Sequence, residues 1–352
     1  MRRLTVLSIA YPLAPVSPDA VGGSEQVLSS LDRALVAAGH RSIVIACDGS
    51  QVAGELLSYP APPPGRPIDR ATHTAGQAAI RRHTRAVLQR EPVDVVHMHG
   101  LDFFEVLPPP GPPVLATLHL PPEWYPPEAL APARPDTWLH CVSNSQMDRA
   151  PASPNMLPPI PNGVAVERLG ALHLRKCRYA LVLSRICPEK GMHLAIDAAR
   201  AAGVPSLLAG EVFPYHEHQT YFNQEVAPRL DRQHRYVGPA DFLRKRRLLA
   251  AARCLLVPSL VAETSSLVAM EAASCGTPVI AFKIGALPEV VEHGTTGLLV
   301  DDAKGMADAI RRVHEIDPET CRETARRRFT ITRMAAAYLA RYEQLACVSK
   351  AA

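Results

Sequence analysis

Short apolar runs alternate with segments of helical spacing along most of the chain. Leu4–Ala10, Ser42–Ala46, Val93–His97, Val114–Leu118 and Trp138–Val142 are apolar runs of strand length. Between them, Ser24–Ala38 and Thr74–Arg90 carry helical spacing; Gly39 stops the first, and a Pro-rich loop around 60–67 precedes the second. A second series starts near residue 178. Strands are expected at Tyr179–Leu183, Ser206–Ala209, Arg235–Val237, Leu255–Val257, Val279–Phe282 and Gly297–Val300, and helices at Gly191–Ala202, Asp241–Arg253, Ser266–Cys275 and Leu287–Glu292. Strands that alternate with helices and are apolar on both faces predict parallel sheets covered on both sides.

The Pro- and Asn-rich stretch 151–169 separates the two series and reads as a domain boundary. The expected fold class is α/β, with two doubly wound, Rossmann-like domains. Residues 1–165 form the first, 170–317 the second, and 318–352 are C-terminal helices packing back across. Strand carboxyl ends of both sheets would face one crevice.

Composition narrows the function classes. The 352 residues suffice for two cores. Hydrophobic residues at 47% and charged residues at 20% describe an ordinary soluble globular chain. A net charge of +4 permits an anionic substrate without arguing for nucleic acid, and 5% aromatic residues disfavour a stacking platform for single strands. The eight cysteines form no C-x-x-C pair and read as reduced thiols of a cytoplasmic protein. The N-terminal MRRLTVLSI run breaks at Pro12 without a cleavage site and reads as a first strand, not a leader. No apolar run nears the length of about 18 residues that a membrane span needs.

Glu271 is the anomaly in this pattern. It lies in a helix whose other residues, Leu267, Val268, Ala269, Met270, Ala272 and Ala273, are apolar all round, so a carboxylate is expected in a buried place. Glu263 stands just ahead of the same helix. Between them Thr264, Ser265 and Ser266 put hydroxyls and free backbone amides at a helix N-terminus, where anions bind. Either the carboxylates meet a ligand's hydroxyls on either side of a phosphate, or one caps the helix and the other pairs with an arginine.

A second constellation, SRICPEKG at 184–191, ends a strand and opens a helix. Arg185 and Lys190 supply two cations suited to a diphosphate. The alternative is a solvated pair in which Glu189 offsets Lys190. Gly22 and Gly23 let backbone approach a ligand, or form a plain turn, with Ser24 as the expected N-cap. His99 and His119 end strands as possible donors to sugar hydroxyls, whereas His97 reads as a core residue. No spacing of metal ligands is present, and G-x-G-x-x-G and the P-loop motif are absent. The basic runs Arg81–Arg82 and Arg244–Arg247 read as solvated helix faces, with attraction to an anionic membrane surface as the other reading. Trp124 and Tyr125 are read as packing a Pro-rich loop, with stacking on a sugar or aglycone as the other reading.

Taken together, ETSSLVAME at 263–271, GTPVIA at 276–281, GALPEVV at 285–291, GTTGLLV at 294–300, SRICPEKG at 184–191, PNGV at 161–164 and DVVHMH at 94–99 resemble the retaining family 4 glycosyltransferases, the glycosyl transferases group 1 of the GT-B fold. The resemblance covers nearly the whole chain. It departs from the family pattern at Thr264–Ser266, where many relatives carry glycine or Phe-Gly.

The resemblance implies a hexose transfer from a nucleotide-diphosphate sugar, commonly UDP-linked, to an acceptor hydroxyl, with retention and without metal or other cofactor. It also implies roles. Arg185 and Lys190 would hold the diphosphate, Glu271 the ribose and Glu263 the donor sugar. The amides of Thr264, Ser265, Ser266 and Leu267 would meet phosphate and sugar. Gly22 and Gly23 would admit the phosphates, His119 would stand at the reaction centre, and His99 would serve the acceptor. A nucleotide-sugar epimerase of the same fold and a non-catalytic nucleotide-sugar-binding protein are the competing expectations.

Overall fold

The computed structural model describes residues 2–63 and 69–348. The chain divides into two units, residues 1–162 with 331–352, and residues 163–330.

In the first unit the strands are β1 (Thr5–Ile9), β2 (Arg41–Cys47), β3 (Glu55–Tyr59), β4 (Val95–Met98), β5 (Val114–Thr117), β6 (Thr137–His140) and β7 (Met156–Leu157), and the helices are α1 (Gly23–Ala37), α2 (Arg70–Arg90), α3 (Pro127–Leu130) and α4 (Asn144–Arg149). The seven strands form one sheet in the order β3-β2-β1-β4-β5-β6-β7, all parallel. The reversal of strand order beside β1 is the doubly wound signature. Leu7, Ile9, Ile45, Val96, Ala116 and Leu139 build the core from the central strands. The C-terminal helix Ile331–Val348 belongs to this unit and buries Tyr338 and Tyr342 completely.

The second unit holds α5 (Val166–Gly170), β8 (Ala180–Leu183), α6 (Met192–Ala201), β9 (Ser206–Ala209), α7 (His216–Tyr221), β10 (His234–Tyr236), α8 (Phe242–Ala251), β11 (Cys254–Val257), α9 (Leu267–Ser274), β12 (Val279–Phe282), α10 (Leu287–Val290), β13 (Gly297–Val300), α11 (Ala303–Arg312) and α12 (Pro318–Arg328). Its six strands are also parallel, in the order β10-β9-β8-β11-β12-β13. Each unit thus has the α/β layering that the apolar runs predict.

Several expectations change. The stretch 318–352 is not one block: α12 stays in the second unit while the C-terminal helix lies in the first. The edge strand β3, the two-residue β7 and helix α11 escaped the pattern. β3 is half exposed on a sheet edge, and α11 is polar apart from one stripe, with Asp302 capping the Gly305 amide. α1 begins at Gly23 with Gly22 as N-cap, not at Ser24. α2 starts earlier than Thr74, because the Asp69 side chain accepts from the Thr72 amide. Part of the expected Pro-rich loop, 64–68, lies outside the described residues.

Candidate functional site

In the second unit a turn after β8 carries Arg185 and Lys190. Residues 188–190 form a short helical turn, and Gly191 adopts a left-handed conformation (φ +60°) before α6. A β-carbon on Gly191 would lie 2.3 Å from the Pro258 carbonyl oxygen, so only glycine allows this approach. The Leu260 amide donates to the Glu189 carbonyl at 2.8 Å, fastening the turn to the loop after β11. This backbone packing brings Lys190 to Glu263: Nζ donates to Oε1 at 2.5 Å, and the Ser259 hydroxyl donates to the same oxygen. Gly285 (φ +56°) faces the Glu263 backbone, where a β-carbon would come within 2.5 Å of its nitrogen and oxygen. The Ala286 amide donates to the Glu263 carbonyl at 2.8 Å. The family-like PEKG and GALPE segments therefore both serve to place one carboxylate. The alternative in which Glu189 offsets Lys190 does not hold, since the lysine pairs with Glu263.

The start of α9 answers to an anion site in two respects. Its N-cap, Ser266, makes no side-chain cap, and Ser265 Oγ is enclosed without a hydrogen-bond partner. Thr264 also stands there, half-buried, and Leu267 opens the helix. Burial of α9 is nearly complete, and Glu271 is only 6% exposed. Its partner is Lys245 on α8, whose Nζ donates to Oε1. The charge-paired reading of Glu271 thus holds in kind but not in residue, with a lysine in place of an arginine. Lys245 is the site residue that sequence reasoning missed, because the Arg244–Arg247 run read as a solvated face. Its spacing from Phe242 and Leu249, both buried, was the available signal. Only Oε1 of Glu271 is engaged by the lysine. Among the described residues the Arg185 guanidinium is exposed at the end of β8 without a close ion pair, and its charge acts on Glu189 and His218 nearby.

Gly22, Gly23, His99 and His119 belong to the first unit. Neither glycine has a positive φ, and Glu25 folds back toward the start of α1, where its carboxylate would meet a β-carbon on Gly22. The histidines form one connected cluster across β4, β5 and β6. His119 Nε2 stands 3.4 Å from His99 Nδ1, His99 Nε2 3.1 Å from His97 Nδ1, His97 Nε2 2.8 Å from Thr117 Oγ1, and Thr117 Oγ1 2.7 Å from His140 Nε2. Tyr342 Oη lies 2.6 Å from His97 Nδ1.

One backbone carbonyl sets the protons from His140 to His97. His140 Nδ1 donates to the Cys141 carbonyl at 2.9 Å, so its Nε2 accepts from Thr117. Thr117 then accepts from His97 Nε2–H, and the single lone pair of His97 Nδ1 accepts from the Tyr342 hydroxyl at 2.6 Å. Every ring is neutral in this arrangement. Burial pushes His140 down to about 3 and His119 to about 4, and holds His97 and His99 well below the usual 6.5, with the neighbouring rings adding to the effect for these two. His97 is thus the satisfied core residue expected of it. His119 is also fixed through its backbone: its amide and that of Leu120 donate to Tyr125 Oη at 3.0 and 3.2 Å. Tyr125 is buried in the Pro-rich loop as expected, but Trp124 is 51% exposed and does not pack it.

The comparisons with known proteins follow this layout. Residues 21–168 match the family model described as Glycosyltransferase Family 4, and residues 177–315 match Glycosyl transferases group 1. A D-inositol 3-phosphate glycosyltransferase of Nocardioides sp. is 47% identical over 85 residues, 24% of this chain and 18% of that protein. A glycogen synthase of Mycobacterium tuberculosis is 35% identical over 153 residues, 42% of this chain and 36% of that protein. The chain therefore spans well under half the length of these curated relatives. Among solved structures, AviGT4, a glycosyltransferase involved in avilamycin A biosynthesis, superposes with a TM-score of 0.75 at 24% identity, covering 98% of both chains. The Anabaena HepE structure in complex with UDP and glucose gives 0.73 at 17% identity, covering 97% of this chain and all of that one. With both halves matched by family models and the two-sheet architecture shared, the chain belongs to the group 1 glycosyltransferases, family 4, of the GT-B fold.

Proposed function

We propose that this protein transfers a hexose from a nucleoside-diphosphate sugar, UDP-linked as the first choice, to an acceptor hydroxyl with retention at the anomeric carbon. The observation that carries the reading is the Lys190–Glu263 pair beside the uncapped start of α9, with the exposed Arg185 at the same strand end. Arg185 and Lys190 neutralise the diphosphate, and the α9 amides with Ser265 Oγ face phosphate and sugar. Glu271 binds the ribose hydroxyls through the oxygen that Lys245 leaves, and Glu263 holds the donor sugar. From the first unit, the family resemblance assigns His119 to the reacting sugar and His99 to the acceptor. The bound UDP and glucose of the HepE structure support this choice of donor class.

In the transfer step the bond from the anomeric carbon to the phosphate oxygen breaks as the acceptor oxygen attacks the same face. The acceptor's proton passes to the leaving phosphate oxygen. Two side-chain cations stabilise the departing diphosphate, so no metal is needed for that task. No helix among the described residues is long and apolar enough to cross a membrane. The free cysteines, six of them buried, fit the cytoplasm.

A donor panel read by thermal shift, followed by product analysis with the best donor and candidate acceptors, tests the reading. The expected result is nucleotide release that requires an acceptor, with a new glycoside of unchanged anomeric configuration. Release independent of acceptor, or an epimerised donor, overturns transfer. A trapped glycosyl-enzyme overturns the same-face route. Turnover lost in EDTA and restored by magnesium or manganese overturns metal independence.

A further inference from the structure

We propose that Cys187, Glu189 and His218 form a binding site for a zinc-class divalent ion. The three come from two separate elements, the turn that carries Lys190 and helix α7, and each offers a ligand atom within 4.8 Å of the other two. Around a tetrahedral ion with bonds of about 2.0–2.3 Å, ligand atoms stand about 3.5 Å apart, so closure needs side-chain shifts of roughly 1 Å.

Burial and hydrogen bonding point the same way. Cys187 is enclosed, and His218 is only 9% exposed. His218 Nδ1 is buried and has no hydrogen-bond partner, a cost that native interiors rarely leave uncompensated. The rings of Phe213 and Tyr215 flank the imidazole, with centroids at 6.2 and 5.2 Å. Cys187 Sγ donates to the Arg185 carbonyl at 3.9 Å and stands within 4.8 Å of the Glu189 carboxylate, so two of the three ligands lie close together on one turn.

The donor set selects the ion. Thiolate, imidazole and one carboxylate oxygen suit a borderline-soft tetrahedral ion, whereas magnesium and calcium favour sites built from oxygen. Charge also closes. Binding releases the thiol proton, and the thiolate with the carboxylate offsets the two charges of the ion. The loaded group is therefore neutral, which matters because the Arg185 cation acts on His218 and Glu189 from nearby. Such an ion ties α7 to the turn that orients Lys190, a positional role that leaves the transfer step to the side chains.

Cobalt(II) serves as the spectroscopic probe, added to the full chain and then competed with zinc. The expected result is uptake of one equivalent with a thiolate-to-cobalt charge-transfer band in the near ultraviolet, erased by zinc. Cys187→Ser abolishes the band, and His218→Ala weakens cobalt affinity about tenfold or more. A Cys177→Ser, Cys347→Ser double variant, which removes the two exposed thiols, leaves it intact. A wild-type protein without the band, or a band that survives in Cys187→Ser and is lost only in the double variant, overturns the site. Should Cys187→Ser fail to fold by circular dichroism, His218→Ala decides, and unchanged cobalt affinity overturns it. None of these readouts uses sugar transfer. A chain that transfers without taking cobalt refutes the ion site alone, and one that takes cobalt without transferring refutes only the proposed function.

Discussion

Lys190 and Glu263 neutralise each other across 2.5 Å, with the Ser259 hydroxyl on the same carboxylate oxygen. A cation assigned to phosphate is thus held in place by a carboxylate assigned to sugar. Replacing either partner separates the two tasks. Glu263→Gln keeps the shape and releases Lys190 from its counter-charge, so UDP affinity is expected to stay within a few-fold while kcat falls about 100-fold. If Lys190 holds the diphosphate as proposed, Lys190→Ala is expected to weaken UDP binding by about 10- to 100-fold. Calorimetric titration with UDP beside steady-state kinetics reads both, and a Glu263→Gln enzyme within tenfold of wild-type kcat contradicts the assignment.

Lys245 and Glu271 carry a different weight, because both are nearly enclosed. Truncating Lys245 to methionine leaves Glu271 buried without its counter-charge, with an expected loss of about 3 kcal/mol. The Lys245→Met, Glu271→Gln double variant should recover most of that loss. Urea unfolding of the two variants is the measurement, and equal destabilisation by both would show that the pair is not coupled.

Acid should weaken the protein through the histidine cluster. His97, His99 and His140 are enclosed and neutral, and burial lowers all three in the folded chain, His140 from the usual 6.5 to about 3. The unfolded chain therefore takes up protons below 6.5 while the folded chain does not. Their contribution is fully present above 6.5 and is lost as pH falls from there toward 3. Each histidine adds a slope of about 1.4 kcal/mol per pH unit within that window. His119, lowered to about 4 by burial, follows the same trend. Denaturation midpoints between about pH 5 and about pH 7 should show the trend, and His99→Gln should reduce the slope by one proton's worth.

The same burial bears on catalysis. With His119 held at about 4, its imidazole stays neutral through the physiological range. The pH dependence of kcat/KM is expected to lack an acid limb near 6.5. A limb there that disappears in His119→Ala would mean that the ring titrates in the working enzyme.

The central strands and α9 were legible because apolar runs without alternation have few other places to go. Glu271 was legible as an anomaly for the same reason. What spacing hides is the identity of partners that meet through tertiary packing. Lys245 sits in a run of four basic residues, and periodicity could mark its inward face but not the carboxylate it meets. Lys190 stands next to Glu189 in sequence, yet the left-handed Gly191 and the backbone bond from Leu260 carry it to Glu263. β3 and β7 were missed because edge strands need no continuous apolar run.

Residues 163–330 are contiguous, whereas the first unit is assembled from two separated stretches of chain. During synthesis the middle of the protein can therefore reach its native state before the beginning does. His97 and Thr117 wait for the hydroxyls of Tyr342 and Tyr338, supplied by a helix made more than two hundred residues later. Until then these buried groups each lack one native partner, and the N-terminal half is the part of the chain whose sheet stays incomplete longest.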